Sequence, residues 1–259
     1  MKKFAKMAVM AAIAGFSFAA SAGVVIDDFT TGQTALVDTS GNGSGFASQV
    51  NGSGIIGGYR ELFVSKTNPS NDNEFQTASI GAAGGSLFFS GTNNTTGYAV
   101  VRWDGAKATS AVDYQLNTLS GIDYTGLGAQ DLTQDGATAF SLSVSTADHG
   151  FPFELYAFTD ANNWAKLTIT STGVGDYLID FSSFLAISAF GTEGVDWKGT
   201  VDFTNIGALQ AVINAGTGSA ANVQVTLGLA NTVPEPESLA LVGLGLLGLG
   251  AIRRRKSAK

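Results

Sequence analysis

The chain has 259 residues, with 14 Lys and Arg against 21 Asp and Glu for a formal net charge of −7, one His and no Cys. It therefore has no means of making a disulfide, a thiolate metal site or a cysteine nucleophile, and its acidic balance argues against a nucleic-acid binder, which clusters Lys and Arg on phosphates. With 34 Gly, 14% charged and 44% hydrophobic residues, the composition is that of an exported all-β protein with a real core.

Charge is unevenly placed along the chain. Lys2, Lys3 and Lys6 open it, Arg253, Arg254, Arg255, Lys256 and Lys259 close it, and every acid lies between. The three lysines precede an apolar run from Met7 to Ala20, which ends in Ala20-Ser21-Ala22. A positive start, a short apolar stretch and small residues at its end are the parts of a secretory signal. Residues 1–22 are therefore expected to be removed by signal peptidase after Ala22, with Ala20 and Ala22 filling its small pockets. The run is too short for an ordinary membrane span.

Residues 23–232 alternate short β-branched or aromatic runs with Gly, Asn, Asp and Ser clusters. In chain order the predicted strands are 24–29, 59–66, 86–90, 98–103, 137–144, 153–159, 164–170, 176–181, 208–214 and 223–229. No helical spacing of apolar residues is sustained, and the punctuation is glycine-based, as in Gly41-Asn-Gly-Ser-Gly45 and Gly84-Gly85. No repeat of fixed period occurs, which disfavours a solenoid or propeller. An antiparallel two-sheet jelly-roll sandwich is expected.

The opening Val25-Ile26-Asp27-Asp28-Phe29, the Tyr59-Arg60-Glu61 run and Val201-Asp-Phe-Thr-Asn-Ile-Gly-Ala-Leu-Gln210 resemble non-catalytic galactose-binding-like modules fused to bacterial glycan-active enzymes. That resemblance implies a jelly roll with a structural calcium ion and glycans stacked on exposed aromatics.

Residues that carry chemistry are sparse. His149 is the single imidazole, in a turn beside Asp148, so any histidine triad would run through it. Neither G-x-S-x-G, S-x-x-K nor a Walker loop occurs; no catalytic residue and no metal ligand is assigned. Asp123, Asp131, Asp135, Asp160 and Asp176 adjoin Gly, Asn or Thr, where Asp bonds its own backbone in turns. Calcium is the one cofactor expected as an alternative use of loop carboxylates, with Asp27 or Asp28 contributing. Tyr59, Trp103, Tyr124, Tyr156, Trp164 and Trp197 are the aromatics considered for sugar stacking. Trp197, surrounded by Gly, Asp and Lys, is the candidate ligand contact.

The last segment, 233–259, is a second membrane-directed piece. Pro234 and Pro236 keep Val233-Pro234-Glu235-Pro236-Glu237 out of helix; Leu239 to Ile252 is wholly apolar, and the Arg cluster follows at once. As a helix it rises roughly 21 Å, a marginal transmembrane anchor whose basic end stays cytoplasmic. Gly243-Leu-Gly245-Leu-Leu-Gly248 matches a dinucleotide fingerprint by spelling alone, because no strand precedes it and no acid follows. A Pro-Glu-Pro triplet, an apolar helix and a terminal Arg cluster in this order resemble the PEP-CTERM sorting signal of Gram-negative bacteria, a tail also labelled ice-binding protein C-terminal domain. The resemblance implies processing by exosortase, a membrane cysteine transpeptidase, with Pro234, Glu235, Pro236, Arg253, Arg254 and Arg255 as the sorting residues.

Together these features predict a non-enzymatic exported protein. It would be held briefly in the inner membrane, then delivered to the cell surface or the exopolysaccharide of a biofilm matrix as a structural or carbohydrate-binding module, with no nucleic-acid partner. The alternatives are a secreted hydrolase using paired carboxylates and an ice-binding protein, for which Thr168-Ile-Thr170 is the lone T-x-T pair.

Overall fold

The computed structural model describes residues 23–67, 75–92, 94–116, 118–148, 150–185, 197–214 and 223–234. Its first strands are β1 (Val25–Asp27), β2 (Gln33–Asp38), β3 (Phe46–Asn51), β4 (Tyr59–Lys66), β5 (Ala78–Ala83), β6 (Ser86–Gly91) and β7 (Gly97–Trp103). After the short helix α1 (Ala111–Leu116) come β8 (Ala137–Ala147), β9 (Phe151–Asp160), β10 (Asn163–Ser171) and β11 (Gly175–Asp180). Helix α2 (Phe181–Leu185), β12 (Trp197–Lys198), β13 (Ala208–Ile213) and β14 (Gln224–Pro234) complete the described chain.

These strands form the expected sandwich of two antiparallel sheets. Sheet A runs β11-β8-β14-β6-β5-β2, with β1 added to β14; sheet B runs β12-β10-β9-β13-β7-β4-β3. Side chains alternate across each strand, so β9 sends Phe153, Leu155 and Ala157 inward and β13 sends Leu209, Ala211 and Ile213 beside them. They meet Leu87, Phe89, Val144, Val225 and Leu227 of sheet A in one core. All ten expected strands are present. The pairings that join β14 to β8, β1 to β14 and β13 to β7 link segments far apart in sequence, as a sandwich requires.

The expected strands omit β2, β3, β5 and β12. Strand β5 (Ala-Ser-Ile-Gly-Ala-Ala) has little β-branched bulk; it pairs because Gly81 leaves room for the Phe88 ring, which stands 2.6 Å from where a Cβ would lie. Strands β2 and β3 are sheet edges, paired on one side only, and their weak alternation follows.

A charged network closes the sandwich. Strand β4 places Arg60 inward and Glu61 outward by its alternation. Fully buried Arg60 donates through Nη1 to both oxygens of Asp27 (3.0 and 3.1 Å), through Nε to Gln33 and through Nη2 to the Thr31 carbonyl, while Trp103 Nε1 donates to Asp27 Oδ2 at 2.9 Å. Asp27 is thereby committed to the fold.

Candidate functional site

The outer face of sheet B carries the chemistry. Its register aligns Lys166, Tyr156, Gln210, Arg102, Glu61 and Gln49 in one row across β10, β9, β13, β7, β4 and β3. Arg102 Nε donates to Gln210 Oε1 at 2.9 Å, and Gln49 Nε2 to Glu61 Oε1 at 3.1 Å. A polar row of this kind on an aromatic sheet is a surface that can hold a polar ligand flat.

Half of the row is occupied by the protein's own chain. The connection from Asp104 to Thr133, including α1, lies over β7 and β4. Arg102 holds it by donating to the Thr118 and Ser120 carbonyls (2.6 and 3.1 Å) and to Thr109 Oγ1. Glu61 accepts from the Thr109 amide and from the Tyr114 hydroxyl, and the Tyr114 ring stacks on Phe63 with centroids 4.7 Å apart, beneath the Arg102 guanidinium. Burial in the absence of a cation of its own pushes the Asp104 carboxyl up to about 7, with nearby Glu61 and Asp123 adding to the rise and the Asp123 amide and Arg102 opposing it. Asp104 Oδ2 accepts the Asp123 amide at 2.9 Å; Oδ1 is buried without a partner.

The other half reaches the surface. Trp164 on β10 is half-buried, 6.4 Å from the Tyr156 ring and 6.0 Å from Phe158. Lys166 stands 5.9 Å over the Tyr156 ring and pairs with Glu154 at 3.1 Å, and the Tyr156 hydroxyl donates to the other Glu154 oxygen at 2.7 Å. The half-buried indole beside a Lys–Glu pair offers stacking area and hydrogen-bonding groups together, with the buried Tyr156 ring packed beneath Lys166. Tyr156 and Trp164 were considered from the sequence; Lys166 and Glu154 were missed, although their spacing of two from Trp164 and Tyr156 places each pair on one face.

The other aromatics are placed differently. Trp103 is buried against Asp27, Tyr124 packs edge-on to Phe158, and Trp197, in β12 opposite Ala165, is 47% exposed. Trp197 is thus accessible as expected, at the edge of the sheet. Beside it a groove of about 560 Å³ is lined by residues including Thr133, Thr138, Asp180, Leu185 and Asp202. Pro234 is the last residue of β14, paired with Ala137. Ala20, Ala22, Glu235, Pro236, Arg253, Arg254, Arg255, His149 and the apolar stretch 239–252 lie outside the described residues.

Most loop carboxylates act as turn formers. Asp28, Asp123, Asp131 and Asp202 each accept both the amide and the hydroxyl of a Thr two residues on, a repeated Asp-x-Thr turn. These bonds hold the Asp28, Asp123 and Asp202 carboxyls below the ordinary value. Asp176 is instead a strand residue of β11 and Asp135 sits in a one-turn 3-10 segment with φ of 59°. Among the described residues no three His, Asp or Glu side chains converge to hold a metal ion, and no helix is long and apolar enough to cross a membrane.

The fold and the C-terminal segment define a β-sandwich protein with a sorting tail. Residues 232–256 match the PEP-CTERM protein-sorting motif, so the chain carries the tail that marks a protein for exosortase sorting to the cell surface. No curated protein matches the chain. Among solved structures it is similar to a family 11 carbohydrate-binding module from Clostridium thermocellum in complex with a beta-1,3-1,4-mixed-linked tetrasaccharide, at 14% identity over 78% of this chain and 96% of that one, TM-score 0.35. A solution structure of CtCBM11 gives 12% over 85% and 100%, TM-score 0.38, and a CBM4 structure 12% over 75% and 99%, TM-score 0.30.

Proposed function

We propose that the protein is a non-enzymatic matrix component, sorted and trimmed by exosortase and released to the cell surface or the exopolysaccharide, where the open half of the sheet B outer face binds a glycan. The observation that supports this reading is the grouping of Trp164, Tyr156, Lys166 and Glu154: a half-buried indole against the buried Tyr156 ring, with the Lys166–Glu154 ion pair further along the same face, on rigid neighbouring strands. Sugars present one apolar face and a rim of hydroxyls, and this surface offers a counterpart to each. Trp197, one strand beyond, pairs with the inward-facing Ala165 and so stands on the opposite face of the sheet, apart from this surface.

A hydrolytic role has less support. Glycoside hydrolysis needs two carboxyls across the bond with one of them raised. Asp180 and Asp202 line one groove, yet Thr204 holds Asp202 on the low side, and the carboxyls that burial raises, Asp27 and Asp104, are both fully buried, the one against Arg60 and the other against the Asp123 amide. An ice-binding role asks for ranks of Thr, and beside Thr168 and Thr170 the neighbouring strand offers Glu154 and Pro152.

Retention of the processed protein on gels containing soluble polysaccharides, including the exopolysaccharide of the producing cell, tests the reading. Trp164→Ala is expected to weaken binding by about tenfold or more, with Trp197→Ala, on the opposite face, leaving it unchanged. A native protein that no polysaccharide retains would leave only a structural role.

A further inference from the structure

The sorting motif and the mature amino terminus meet in the sheet. Val24 donates its amide to Thr232 Oγ1 at 2.9 Å, and the Thr232 amide returns a bond to the Val24 carbonyl at 2.9 Å. Thr232 is fully buried, and a Cβ on Gly23 would lie 1.9 Å from its carbonyl oxygen, so the chain enters directly against the strand that leaves. On its other edge β14 stays paired to β8 through Thr232–Phe140, Val233–Ala139 and Pro234–Ala137. The first three residues of the matched segment 232–256 are therefore strand, held from both sides at Thr232.

A processing enzyme binds its substrate as extended, unpaired chain. Thr232 presents no free strand edge until the end of β14 frays, and Val233 and Pro234 stay paired to β8. We propose that the folded β-domain controls where and how fast the tail is cut: the Val24–Thr232 ladder shields the motif as far as Pro234, confines cleavage to bonds beyond it, and makes opening of the last residues of β14 the step that admits exosortase. This rests on the sorting reading above. The chemistry is ordinary acyl transfer, in which the scissile carbonyl moves to the enzyme's cysteine sulfur, the tail departs as a free amine with the thiol proton, and water or an amine acceptor takes the acyl group.

The test uses the full chain in cells with and without exosortase, following tail removal by pulse-chase and the mature C-terminus by mass. Thr232→Val keeps the β-branch and deletes the acceptor, Thr232→Ser keeps the acceptor, and Val24→Pro deletes the donor from the opposite strand. Loss of one such bond raises the frayed population about fivefold. Thr232→Val and Val24→Pro are accordingly expected to be processed about fivefold faster, Thr232→Ser at the native rate, and the native C-terminus to lie beyond Pro234. Melting curves of each variant separate local fraying, with a small shift, from global unfolding. Equal rates in all four chains, or a native terminus before Pro234, overturn the proposal while leaving the sorting reading intact. A tail that exosortase never removes overturns both.

Discussion

At the scale of the residue, charge inside this sandwich is used in two opposite ways. Arg60 and Asp27 neutralise each other with all three guanidinium nitrogens bonded, and removing one member strands the other. Arg60→Met is expected to cost about 3–5 kcal/mol, seen as a lower urea midpoint. Asp104 has no cation of its own and is kept neutral by burial, up to about pH 7. The unfolded chain releases that proton near 3.8, so between these values the folded state binds more protons and stability falls as pH rises. Asp104→Asn supplies an uncharged isostere and is expected to flatten this slope, raising stability at pH 8 by about 2–4 kcal/mol; melting curves from pH 4 to 8 measure it. Both carboxylates sit in strand runs readable from the sequence, Val25-Ile-Asp27 and Val101-Arg-Trp-Asp104, as breaks in the apolar pattern. Apart from the Phe29 amide two residues on, the partners of Asp27 lie 33 or more residues away and that of Asp104 lies 19 away, and no local rule supplies those.

At the scale of the element, the strap from Asp104 to Thr133 decides which half of the sheet B face is available. It fits because glycines allow backbone against backbone: a Cβ at Gly126 would lie 1.6 Å from the Asp104 carbonyl oxygen, and one at Gly207 1.8 Å from that of Tyr124. Gly126→Ala is expected to lift the strap at a cost of about 3 kcal/mol, and limited trypsin digestion would report it as faster cleavage at exposed Lys107. Strands with period-two alternation, such as β9 and β10, were legible in full. The strap and the edge strands β2 and β3 were not, because their burial depends on what packs over them and not on their own pattern.

At the scale of the whole molecule, the chain is an acidic domain between two basic ends. Removing residues 1–22 and those beyond Pro236 leaves six basic and twenty acidic side chains, a net charge of −14, which keeps it soluble and disfavours adhesion to anionic polymers by charge alone. The domain depends on the start of its own sorting segment. A chain ending at Asn231 loses the Thr232 bonds and is expected to melt about 5 °C below one ending at Pro234, on calorimetry of the two truncated forms. The sequence by itself determined the sandwich class, the ten stronger strands and the sorting tail, because each rests on local periodicity or an ordered string of short motifs. Only the tertiary structure decided that Lys166 and Glu154 join Tyr156 and Trp164, that Arg102 and Glu61 serve the strap, and that Gly23 meets Thr232. Those outcomes depend on strand order and register, which long-range packing selects and no stretch of local sequence encodes.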